Sequence, residues 1–102
     1  MGLLRGRARV GTTRTAVSAD VEHLTAFAGS RRGVEGFVEP ETLTTSTTLV
    51  LVAHDGEWTR RRIESPKAAF RLGHDLQIPV YEVAAMGYPQ RMRDWTAAQR
   101  RR

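Results

Sequence analysis

Three consecutive arginines, Arg60, Arg61 and Arg62, are the residues of this chain best suited to chemistry. A guanidinium is a planar, permanently charged fork that grips phosphate or carboxylate through two parallel hydrogen bonds. On an extended backbone a period of two sends Arg60 and Arg62 to one face, about 7 Å apart, and Arg61 to the other. Such a pair can follow a sugar-phosphate backbone. Glu35, Glu39 or Glu41 on a neighbouring strand can equally neutralise it as cross-strand partners. Trp58, two residues ahead, can stack on a base or close a core.

A second group lies at residues 87–95, which read Gly-Tyr-Pro-Gln-Arg-Met-Arg-Asp-Trp. Tyr88 and Trp95 interleaved with Arg91 and Arg93 suit either a stacking and phosphate-binding surface or a segment that docks on a partner. The competing reading is that Tyr88, Met92 and Trp95 anchor a terminal helix, with Arg91 and Asp94 forming a weak pair three residues apart. A third group, His54, Asp55 and Glu57, contains the residue types of a metal-independent nuclease, with Arg60 available to stabilise a phosphorane. Asp-Gly turns recur for backbone reasons alone, however, and an exposed turn desolvates nothing. His23 and His74 fall on separate predicted helices without ligand spacing, and no glycine pattern cradles phosphate.

The elements that must position these residues centre on residues 47–63. Their apolar run at 49–53 meets an Asp55-Gly56 turn and a return strand bearing the arginines, a strong hairpin signal. A two-residue turn would set Ala53 against Trp58 and Leu51 against Arg60. A type I turn with Gly56 in a bulge would instead set Val52 against Trp58 and Val50 against Arg60. Upstream, Ser18 can cap a short helix over 19–28 with Val21, Leu24, Phe27 and Ala28 on one stripe. Residues 34–39, ending at Pro40, read as a short edge strand.

Downstream, Ser65-Pro66 starts a helix whose small-residue stripe is Ala69, Leu72, Gly73 and Leu76. A fourth strand over 80–84 follows, placed parallel to the third by a right-handed crossover. An arginine-rich terminal helix begins at Gln90. The expected architecture is one small α+β domain over 17–102: a mixed four-stranded sheet covered by helices, with residues 99–102 frayed and 1–16 a disordered basic extension.

Composition limits the function classes. The chain has 102 residues, a net charge of +5 and no cysteine, so it carries no disulfide scaffold and no thiolate nucleophile, and no metal or cofactor is expected. Arginine supplies the basicity, with Lys67 the single lysine. A GC-rich coding sequence accounts for part of that bias. The charge is also segregated: −5 over residues 33–59, and +4 over each of 1–32 and 88–102. No run reaches the roughly 20 apolar residues of a membrane helix, which with the missing export signal gives a cytoplasmic, membrane-independent expectation.

The stretches 34–40, 55–62, 78–83 and 87–93 resemble a family of short actinobacterial proteins of no established function. The likeness covers roughly residues 20–95. It implies a stand-alone domain preceded by an extension, and it supplies no activity or site residue. The functional expectation is a non-enzymatic basic adaptor or regulator that binds RNA, DNA or a ribonucleoprotein. Its contact residues are Arg60, Arg62, Tyr88, Arg91, Arg93 and Trp95, with no catalytic residue. The alternative is a self-associating interaction module, a homodimer using a free strand edge and the Tyr88–Trp95 segment.

Overall fold

A computed structural model describes the backbone of residues 11–101 and the side chains of residues 18–101. In chain order the elements are helix α1 (Gly11–Ser30), strands β1 (Glu35–Glu39), β2 (Thr48–Val52) and β3 (Trp58–Arg62), helix α2 (Pro66–Leu76), strand β4 (Val80–Glu82), and helices α3 (Val83–Met86) and α4 (Gln90–Arg100). The four strands form one mixed sheet in the order β3-β2-β1-β4. The α+β class, the four-stranded sheet and the arginine-bearing terminal helix are as the sequence predicts.

Three local expectations are corrected. Residues 35–39 are not an edge strand: β1 lies inside the sheet, antiparallel to β2 and parallel to β4. Pro40 permits this because it follows the last ladder residue and withholds no donor from it. The fourth strand accordingly pairs with β1 rather than β3, and the edges are β3 and β4. Second, β4 ends at Glu82, and Val83–Met86 wind into one helical turn closed by the Gly87 N–H on the Val83 carbonyl at 2.8 Å. Third, α1 begins at Gly11, so Ser18 is inside the helix rather than its cap. Of the expected disordered extension at 1–16, residues 11–16 belong to α1, and of the expected frayed end at 99–102, residues 99 and 100 belong to α4; residues 1–10 and Arg102 lie outside the described residues.

The hairpin takes the bulged register, Val52 opposite Trp58 and Val50 opposite Arg60. The Gly56 N–H returns to the Ala53 carbonyl at 3.0 Å with Gly56 at φ +96°, where a side chain would be strained. Helix α2 starts as predicted: the Ser65 hydroxyl accepts from the Ala68 N–H at 3.0 Å, and Pro66 needs no partner at the first position. Its end is unusual, with Gln77 in the left-handed region that glycine normally fills.

Both faces of the sheet are covered, which explains the unbroken apolar run of β2. On one face Leu49, Leu51 and Val38 pack with Leu24 and Phe27 of α1 and Ala69 of α2. On the other, Val50, Val52 and Phe37 pack with Met92 of α4, flanked by Trp58, Tyr81 and Tyr88. Helix α4 therefore lies on the face to which Arg60 points, while Arg61 and Arg62 reach Asp20 of α1 at 3.5 and 4.0 Å.

Candidate functional site

The contact between β3 and the start of α4 is built on Glu39. Arg60 grips its carboxylate with both arms of the guanidinium, Nε to Oε1 at 2.8 Å and a terminal nitrogen to Oε2 at 3.0 Å. The Thr48 hydroxyl donates to Oε1 at 2.5 Å, and the Tyr88 hydroxyl donates to Oε2. Burial pushes the Glu39 carboxyl up, but the hydrogen bonds from Arg60, Thr48 and Tyr88 outweigh it and bring the pKa down to about 2. Burial, followed by the bond to Glu39, pushes the Tyr88 phenol above its ordinary value. The same guanidinium lies 5.2 Å from the Trp58 ring, a cation–π distance.

A second cluster fixes the body of α4. Arg91 turns inward: Nε donates to the Ala53 carbonyl at 2.9 Å and a terminal nitrogen meets Glu35 at 2.7 Å. It does not pair with Asp94, which accepts from Gln90 instead. Four residues along, Trp95 sits over the hairpin turn, where a Cβ on Gly56 would lie 2.8 Å from the Trp95 Cβ and collide with the Arg91 carbonyl. The Trp58 indole N–H donates to Thr96 at 2.9 Å. Arg91 and Trp95 thus hold the terminal helix on the hairpin.

Of the six residues singled out by sequence, Arg60, Tyr88, Arg91 and Trp95 are engaged inside the protein, while Arg62 and Arg93 remain displayed. The Arg62 side chain is 68% exposed and reaches Asp20 only at 4.0 Å. Arg93 contacts the neutral Gln90 side chain at 2.8 Å and the Tyr88 carbonyl at 3.4 Å. It borders a groove of about 320 Å³ lined by Tyr88, Met92, Arg93, Thr96 and Arg100. Among the described residues, neither Arg93 nor Arg100 has a carboxylate within ion-pair distance. Arg100 belongs to this site although sequence reasoning placed it in a frayed end. The signal that identifies it is its spacing of seven from Arg93, two helical turns and about 10 Å along one face.

The hairpin acids are occupied by structural work. Asp55 accepts the Glu57 N–H at 3.0 Å, and Glu57 is held by Arg31 at 2.7 Å, whose guanidinium lies 4.2 Å from the Phe27 ring. His54 is exposed beside them. His23 contacts the Thr59 hydroxyl at 2.7 Å, far from that turn in sequence. No group of three or more His, Asp and Glu among the described residues is placed to hold a metal ion. None of their helices is long and apolar enough to cross a membrane.

Compared with known proteins, the chain matches no family model, no curated protein and no solved structure.

Proposed function

We propose that this chain is a non-enzymatic binding module whose α4 surface takes up a single-stranded nucleic acid. The observation that carries the reading is the groove beside α4. Tyr88, Met92, Arg93, Thr96 and Arg100 line it, and neither arginine has a carboxylate within ion-pair distance among the described residues. The half-buried Tyr88 ring offers a base something to pack on, and two guanidinium groups on one helical face offer contacts to successive phosphates. Arg62 lies apart from the groove, its guanidinium 4.0 Å from Asp20 of α1, which covers the other face of the sheet. Arg60 and Arg91 support the surface indirectly, by holding α4 in place. The resemblance to short actinobacterial proteins brings no activity to this reading.

Fluorescence anisotropy with labelled single-stranded RNA and DNA across a salt series tests it. Each phosphate neutralised on a single strand contributes about 0.7 to the slope of log affinity against log salt. Two contacts, from Arg93 and Arg100, predict a slope near −1.4, which the Arg93→Ala, Arg100→Ala double variant removes. Binding that is absent near physiological salt, or that the double variant leaves intact, removes the proposal.

A further inference from the structure

Thr96 stands between Arg93 and Arg100 on α4, three residues after the one and four before the other, and all three side chains line the groove. They form one stripe over two helical turns. The chemistry of the middle position is set from behind. An indole N–H can only donate, and that of Trp58 donates to Thr96 Oγ1 at 2.9 Å. The threonine oxygen is therefore the acceptor in this bond, and its own O–H is left to donate elsewhere. Among the described residues Trp58 is the only group hydrogen-bonded to Thr96 Oγ1, so no carbonyl of the helix takes that hydrogen.

The stripe thus turns donors toward whatever lies along it. A guanidinium has no acceptor at all, and the hydroxyl between the two has its oxygen engaged and its hydrogen free. A phosphodiester matches such a stripe, because its unesterified oxygens accept and it carries no donor of its own. A base edge bearing amino groups matches it less well, since each amino group would meet another donor.

We infer that Thr96 is a phosphate-binding residue of the groove, donating its hydroxyl to a backbone phosphate of the bound strand alongside the Arg93 and Arg100 guanidinium groups. The inference rests on the proposal that the α4 surface takes up a single strand, and it adds a contact without charge. That neutrality separates Thr96 from its neighbours: an arginine contact releases counterions and steepens the salt dependence, whereas a hydroxyl contact raises affinity and leaves the slope alone.

The test is fluorescence anisotropy with a labelled single-stranded oligonucleotide across a salt series, on the full chain and three variants. Thr96→Val keeps the shape and removes the donor, so affinity falls by about tenfold or more at every salt concentration while the slope of log affinity against log salt stays at the parent value. Thr96→Ser keeps the hydroxyl and binds as the parent does. Trp58→Phe breaks the same internal hydrogen bond but leaves the hydroxyl, and loses much less affinity than Thr96→Val. If the parent binds and Thr96→Val binds equally well, flattens the slope, or loses no more than Trp58→Phe or Thr96→Ser, the inference is overturned and the nucleic-acid surface stands. If the parent binds no oligonucleotide, both are overturned.

Discussion

Glu39 gathers three side-chain donors from three parts of the chain: Arg60 on β3, Thr48 on β2 and Tyr88 ahead of α4. Glu39→Gln keeps the shape, removes the charge that all three address, and should cost about 1–2 kcal/mol of stability at pH 7. The pH dependence follows from a carboxyl at about 2 in the folded chain against an ordinary 4.5. Its stabilisation is complete above pH 4.5 and is lost as the pH falls toward 2. Urea unfolding at pH 7 and pH 3 should therefore show a smaller acid loss in Glu39→Gln than in the parent chain. Equal losses would mean that Glu39 does not carry the linkage. Arg60 and Arg91 act as staples on the same principle, and Arg60→Ala or Arg91→Ala should lower Tm before it touches any ligand contact.

At the scale of elements, α4 is seated by the hairpin turn. Gly56 combines a positive φ with a close approach to the Arg91 backbone and Trp95. Gly56→Ala should destabilise by more than about 1–2 kcal/mol, since it adds left-handed strain to a collision with main chain, which cannot rotate away. Thermal unfolding measures this, and a neutral outcome would show that α4 sits away from the turn. The hairpin was legible from Asp55-Gly56 and the apolar run, and the helix start from Ser65-Pro66, because these signals are local. Two registers remained open, since both place Arg60 and Arg62 on one face; packing of Gly56 against α4 accompanies the bulged one. The inner position of β1 was hidden because strand order depends on long-range pairing, and Pro40 reads the same beside an edge or an inner strand.

For the whole molecule, the acidic segment at 33–59 and the basic stretches around it form a complementary set. Glu35 and Glu39 neutralise Arg91 and Arg60, and Asp20 lies 3.5 Å from Arg61. Charge segregation along the chain signalled complementarity as plainly as it signalled a polyanion, and composition alone could not divide the arginines between the two. Helix periodicity could have joined Arg93 to Arg100, but not shown that Arg91 faces the sheet. The division that emerges is between arginines that hold α4 in place and arginines that α4 displays. Chemical-shift mapping of the full chain with a short single-stranded oligonucleotide tests that division most directly. The account predicts that the largest perturbations fall on Tyr88, Arg93, Thr96 and Arg100. Perturbations centred on the α1 and α2 face, or none at all, would contradict it.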